Sequence, residues 1–329
     1  MKVTILGAAQ AGQQELFSII TKIPLSQIQL KPTEVQLGIC DIADPRMAKL
    51  IKMFNPKKVA YAKIEYALLP DFNMSGPTKD LILGQLRNAD ELCFVTQSDI
   101  LEFISELVIY DMMLAEKRLE NIEKEQRKKV LDSREKEKQL ILKCKVQLEE
   151  ERLLQKLEFD NEQMKLIRTY QFLTMKPIFI VLNTEGDQKV DLSGYDLPNI
   201  KINAKLEEEI NQLDEKDREP FMKEIGIEEP ALHKMTRMAF AGLGMMTFFT
   251  VGEDEVRSWP VKIGATAPEA GSAIHSDIEK GFVRAEMCKF DDLMDAGSEA
   301  KLKEIGKFYL KGRDYILEDG DILSFRFNV

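Results

Sequence analysis

Between Gly7 and Gln14 the chain reads Gly-Ala-Ala-Gln-Ala-Gly-Gln-Gln. Gly7 and Gly12 have the spacing of G-x-x-x-x-G-K-[ST], a loop whose backbone N–H groups cradle nucleotide phosphates. In a working loop the next lysine neutralises the β- and γ-oxygens, and the following Ser or Thr hydroxyl ligates Mg²⁺. Here those two positions are Gln13 and Gln14. The backbone part of phosphate recognition is therefore present in outline, and the cation and the metal-ligating hydroxyl are missing. Glycine spacing alone is also satisfied by a tight turn, so the elements around the loop must decide between the two.

Other groups capable of chemistry are sparse. His233 and His275 are the only histidines, and no nucleophilic triad assembles around either. His275 is expected to hydrogen-bond structurally in Ile274-His275-Ser276-Asp277. Cys40, Cys93, Cys144 and Cys288 are scattered without CxxC spacing, which argues against a zinc site or a disulfide framework and for a reducing, cytoplasmic setting. Glu207-Glu208-Glu209 fall on an expected helix and read as solvated. Lys262, Lys280, Arg284 and Lys289 could form an RNA-facing patch, although scattered surface charge is the default. A net charge of −10 argues against indiscriminate coating of nucleic acid. With 44% hydrophobic and 31% charged residues, the 329-residue chain is expected to be globular, with two or three domains and no membrane span. The N-terminus enters a strand directly, without signal-peptide architecture.

Residues 2–7 form a β-branched apolar run, and Ala11 to Thr21 read as a helix, the strand–loop–helix opening of an α/β nucleotide-binding domain. Further strands are expected at 35–39, 63–69 and 91–95, with a helix from Leu81 to Asn88. From Ile100 to Leu173 there is neither proline nor glycine, and the spaced apolar positions demand helix. One helix of that length would extend ~100 Å, so an antiparallel hairpin is expected, with its turn at Asp132-Ser133. Its seam would include Leu119, Ile122, Leu140, Leu154 and Leu157. Ile178 to Asn183 is a buried parallel-strand run, followed by a strand at 200–203 and helices at 206–213 and 231–243. Thr247 to Val251 and Ile322 to Phe327 are strands, and a small α+β unit is expected to begin near Arg257.

Beyond the loop, residues 257–287 and 312–329 resemble the C-terminal TGS domain of the YchF/Obg-like ATPase family. Phe221 to Leu232 is similar to that family's link out of the G domain, and Asp44-Pro45-Arg46 and Phe172 to Pro177 also fit. The resemblance implies an α/β fold: a P-loop GTPase-like, mostly parallel sheet with an inserted antiparallel helical hairpin or coiled coil, and a C-terminal α+β, ubiquitin-like TGS domain. The implied domains are 1–99 and 174–256 for the G domain, 100–173 for the hairpin and 257–329 for the TGS-like domain.

The resemblance also assigns a nucleotide site and shows where it has changed. The degenerate P-loop is Gly7, Ala8, Ala9, Gln10, Ala11, Gly12, Gln13 and Gln14. The switch-one threonine falls on Gln29. In the D-x-x-G motif the magnesium-holding aspartate becomes Leu68, and the glycine that senses the γ-phosphate becomes Asp71. Base recognition falls on Asn183 and Gly186, with Glu185 an alternative after a one-residue shift, and on Asn203, Ala204 and Lys205. No catalytic residue and no metal ligand is assigned.

The expectation is a pseudo-GTPase scaffold that binds the ribosome or another translation component, with a possible RNA contact. It needs no cofactor, and binds ATP or GTP with magnesium only if residual affinity persists. One alternative is a P-loop ATPase or GTPase with slow hydrolysis; another is an adapter that works through the helical hairpin.

Overall fold

The computed structural model describes the whole chain except residues 29–33, 99, 128–131, 185–191, 193, 228 and 329. Its contacts divide it into two compact units, Met1–Gly38 with Glu65–Met235, and Ile39–Ile64 with Thr236–Val329.

The first unit is built on β1 (Lys2–Gly7), α1 (Gln13–Thr21) and β2 (Gln36–Asp41). The chain continues through α2 (Pro45–Phe54), β3 (Lys58–Ala60), β4 (Lys63–Leu68), α3 (Lys79–Asn88) and β5 (Glu91–Thr96). Two long helices follow, α4 (Leu101–Gln126) and α5 (Asp132–Glu149), then α6 (Asn161–Arg168), β6 (Ile178–Asn183), β7 (Asn199–Ile202), α7 (Ala204–Gln212) and α8 (Glu215–Glu224). The sheet order is β2-β4-β1-β5-β6-β7, and the β4–β1, β1–β5, β5–β6 and β6–β7 pairs are parallel. Parallel strands covered on both faces read as continuous apolar runs. Val3, Ile5 and Leu6 on β1 and Ile180 and Val181 on β6 are accordingly fully buried. This is the α/β, mostly parallel architecture expected from the sequence, and it places the ends of β1, β4 and β6 near the helix start at α1.

Helices α4 and α5 run antiparallel, tied by Lys145–Glu116 at 2.9 Å, Lys138–Glu123 at 3.4 Å and Arg118–Glu137 at 2.7 Å. Asp132-Ser133, expected as the turn, instead opens α5, because both residue types also favour helix starts. The second helix stops at Glu149, earlier than expected, and Glu151 takes a left-handed φ of 54°. The chain turns back there and buries Leu153 and Leu154, with Leu154 in a short 3-10 turn rather than on a heptad seam. Asp160 then starts α6 with a capping box to Gln163.

Where the hairpin meets the body, buried Asp111 on α4 accepts hydrogen bonds from the Leu173 and Thr174 N–H groups and from the Thr174 hydroxyl, at 2.9, 2.7 and 2.6 Å. Burial pushes its carboxyl up to about 6, against the pull of these donors and of Lys176.

The second unit contains α9 from Thr236 onward (helix Ala231–Gly242), β8 (Met245–Thr250), β9 (Glu255–Lys262), α10 (Ala267–Ile274) and α11 (Ser276–Lys280). It ends with β10 (Phe282–Lys289), α12 (Phe290–Ala296), α13 (Glu299–Glu304), β11 (Tyr309–Lys311) and β12 (Asp321–Phe327). Its sheet order is β11-β10-β12-β8-β9-β3. Strand β8 and residues 39–64 thus lie in this α/β unit, whereas the sequence reading starts it near Arg257. The stretch 39–64 joins because Asp44 caps α2 from the Arg46 N–H, and Met47 and Leu50 pack against Phe249, Cys288 and Leu293. No helix among the described residues is long and apolar enough to cross a membrane.

Candidate functional site

Strand β1 ends at Gly7, and the chain passes through two left-handed residues, Gln10 at φ 64° and Gly12 at φ 89°, before α1 begins. Gly12 is the N-cap, its carbonyl accepting from the Leu16 N–H at 3.0 Å. A Cβ at Gly12 would come within 2.0 Å of Asn183 Nδ2, and one at Gly7 within 2.7 Å of the Val95 carbonyl. Close packing therefore requires glycine at both positions, and at Gly12 the backbone angle requires it as well.

Asn183, at the end of β6, staples this loop to the next. Its Nδ2 donates to the Ala11 carbonyl at 2.9 Å, and its Oδ1 accepts from the Ala204 N–H at 3.0 Å. Asn203 caps α7 by accepting from the Leu206 N–H at 3.0 Å, Ala204 is buried, and Lys205 is exposed on the first turn. The fold thus gathers Gly7–Gly12, Asn183, Asn203, Ala204 and Lys205 at one end of the sheet. Gln29, Glu185 and Gly186 lie outside the described residues.

The mouth of the loop has a different chemistry. Gln13 is buried, and its Nε2 donates to Asp71 Oδ1 at 2.8 Å. The Gln13 Oε1 has no hydrogen-bond partner among the described residues and would lie 3.2 Å from a Cβ at Gly7. Leu68 closes β4 opposite Ile5 and is fully buried, while Gln14 is half-buried on the first turn of α1. The segment after β4 is tied back through the Phe72 N–H, which donates to the Gly7 carbonyl at 2.9 Å. An anion approaching the loop would find backbone N–H groups and a helix N-terminus, which favour it. It would also find the Asp71 carboxylate, which repels it.

Several of the other residues singled out in the sequence take structural roles, while Lys280 and Arg284 are exposed. Lys289 pairs with the fully buried Asp321 at 2.6 Å, and Lys262 donates to the Leu243 carbonyl at 2.7 Å. Arg284 is exposed beside Arg326, which pairs with Glu286. His275 caps α11, its Nδ1 accepting from the Asp277 N–H at 3.2 Å. Glu207 is buried and accepts from the Ala231 N–H at 2.9 Å, so the expectation of a solvated carboxylate fails there. Burial raises its pKa against that bond. Sequence reading missed the Gln13–Asp71 contact and Asp111. The signal for Asp111 was an acid on the apolar stripe of Phe103, Ile104, Leu107, Val108 and Ala115.

Comparison with known proteins adds an independent line. The family model YchF-GTPase_C, described as "Protein of unknown function (DUF933)", matches residues 245–328. Over 362 aligned residues the chain is 33% identical to the "Ribosome-binding ATPase YchF" of Bacillus subtilis, covering 99% of this chain and 98% of that protein. It is 31% identical to the protein of the same name from Haemophilus influenzae, covering 100% and 99%. Both alignments are longer than the 329-residue chain, so this chain lacks segments that these relatives have. A solved structure of the Schizosaccharomyces pombe YchF GTPase superposes with a TM-score of 0.84 at 23% identity, covering 99% of this chain and 97% of that one. At that identity the superposition speaks to fold.

Proposed function

Because the chain belongs to the YchF family, we propose that it binds the ribosome as its relatives' names describe, and does so as a scaffold that does not turn over nucleotide. Ribosome association is supported by similarity along essentially the whole chain to proteins named for it. The observation that carries the scaffold reading is Gln13. A neutral amide stands where a phosphate-neutralising lysine is needed, and it is engaged with a carboxylate. Leu68 supports it, since an apolar, fully buried side chain stands where the resemblance puts the aspartate that holds hydrated magnesium. Each hydrogen bond to a charged group contributes roughly 1.5–3 kcal/mol. Losing the lysine, the hydroxyl ligand and the aspartate together removes several such contacts from phosphate and metal, though not additively.

A second reading, residual ATP or GTP binding, draws on the loop backbone. Gly7, Gly12 and the α1 N-terminus keep the curvature and donors of an anion nest. Such binding would be weak, and without a metal ligand it would not support efficient hydrolysis.

Co-sedimentation of the full chain with ribosomes, with and without Mg·ATP or Mg·GTP, tests the proposal. Pelleting at the same level under all conditions is expected. Failure to pellet at low salt overturns the ribosome reading, and pelleting that depends on nucleotide overturns the scaffold reading.

A further inference from the structure

The side chain that follows the second glycine of a phosphate-binding loop reaches toward the β- and γ-phosphates. A glutamine there is one bond shorter than the lysine, so the terminal phosphate of a bound nucleotide would lie just beyond its tip. Here the tip is Gln13 Nε2, and 2.8 Å from it lies Asp71 Oδ1. An anionic oxygen of the chain itself thus receives the hydrogen bond that a terminal phosphate oxygen would receive. The orientation of the amide follows, because only its nitrogen can face a carboxylate, which leaves Oε1 toward Gly7.

The next residue is tied to the same loop by two further means. The Phe72 N–H donates to the Gly7 carbonyl at 2.9 Å. The Phe72 ring meets Phe103 edge-on at 5.2 Å and Phe94 at 6.2 Å. In GTPases, contacts to the γ-phosphate order the switch segments, and hydrolysis releases them. A carboxylate fixed to the chain makes the first of these events permanent and the second impossible.

We propose that Asp71 is an internal substitute for a terminal phosphate, holding the segment after β4 against the Gly7–Gln14 loop without any nucleotide. The inference rests on the reading of the site as one that does not turn over nucleotide, and it goes further. Missing groups explain inactivity, whereas this contact assigns a single, constitutive conformation to the surface that a nucleotide would otherwise control. It also means that replacing the lysine alone would not rebuild the site, because a lysine at position 13 would pair with Asp71.

Amide hydrogen exchange on the full-length chain tests this, with the variants Asp71→Ala, Asp71→Asn and Gln13→Lys. Asp71 is exposed, so folding of each variant is expected and is checked by far-UV circular dichroism. Asp71→Ala should speed exchange of the Phe72 amide about three- to fivefold, with peptides from α4 unchanged. Asp71→Asn should keep most of the protection, since an amide oxygen still accepts from Gln13. Gln13→Lys should keep it fully, because the lysine pairs with Asp71, and should gain no saturable binding of Mg·ATP or Mg·GTP.

Unchanged exchange in Asp71→Ala overturns the proposal. So does nucleotide binding by Gln13→Lys. Nucleotide turnover by the unaltered chain would instead overturn the reading of the site, a result that the exchange data do not depend on.

Discussion

Two contacts one residue apart on the same loop teach different things. At Gly12, Asn183 bridges the Ala11 carbonyl and the Ala204 N–H in a packed setting that leaves no room for a Cβ. At Gln13, an amide meets the exposed Asp71 carboxylate at the mouth. The first contact sets the shape of the loop, and its residue types are those a nucleotide-binding fold would use. The second sets the chemistry, and its residue types are not. Shape and chemistry are separable here because the backbone curvature rests on glycines and packed neighbours, whereas the chemistry rests on the side chains of Gln13 and Asp71 at the mouth.

If that division is correct, substitutions in the two contacts have very different consequences. Gly12→Ala combines a left-handed φ with a collision against Asn183, and about 3–4 kcal/mol of destabilisation is expected. Urea unfolding followed by far-UV circular dichroism measures it. Trp259 is the chain's single tryptophan and lies in the second unit. Its fluorescence transition should therefore move little, and an equal shift in both signals would break the distinction. Asp111→Ala should cost about 3 kcal/mol in the same assay, since two backbone N–H groups and a hydroxyl lose their acceptor.

Asp111 also predicts a pH dependence of definite sign. Its folded-state pKa of about 6 lies above the ordinary value of 3.8. The native state therefore holds the proton more tightly, and the stability this contributes is present below pH ~3.8 and lost as pH rises through ~6. The upper bound is roughly 3 kcal/mol, from 1.36 kcal/mol per unit. Asp111→Asn should flatten that part of the profile, and an unchanged slope between pH 4 and 6 would contradict the assignment. Glu137 acts in the opposite direction. Burial pushes its pKa up, but bonds from Arg118, Tyr170 and Arg134 carry it down to about 2. Its contribution is present above pH ~4.5 and lost as pH falls through ~2, so the two acids are separable by pH.

The smallest expected effect sharpens the comparison most. Asp71→Ala should change overall stability by less than about 1 kcal/mol, because the carboxylate is exposed and meets Gln13 through a hydrogen bond at the solvent-facing mouth. Chemical denaturation of this variant beside Gly12→Ala reads the two regions on one scale. A loss as large as that of Gly12→Ala would place the mouth contact within the scaffold.

Much of this was legible in the sequence. The β-branched run before Gly7 and the glycine spacing gave β1, the loop and the start of α1, because all three follow from local rules. Proline- and glycine-free composition gave the long helices. It could not give their ends, since Asp132 and Ser133 suit a helix start as well as a turn. The left-handed turn at Glu151, too, is made by a residue with no intrinsic preference for it. The departures at Gln13, Gln14 and Leu68 were readable by position. The pairing of Gln13 with Asp71 was not, because the two are separated by 58 residues and meet only when β1 and β4 lie side by side. Residues 39–64 were misplaced for a similar reason: their partners in the second unit's sheet lie about two hundred residues away in sequence, as in the Lys58–Glu255 pairing.

The central claim is that the loop has kept its shape and lost its nucleotide chemistry. Isothermal titration of the unaltered chain with Mg·ATP and Mg·GTP, with phosphate release followed in the same samples, tests it most directly. The account predicts no saturable binding in the micromolar range and no phosphate release above background. Micromolar affinity accompanied by turnover would contradict it.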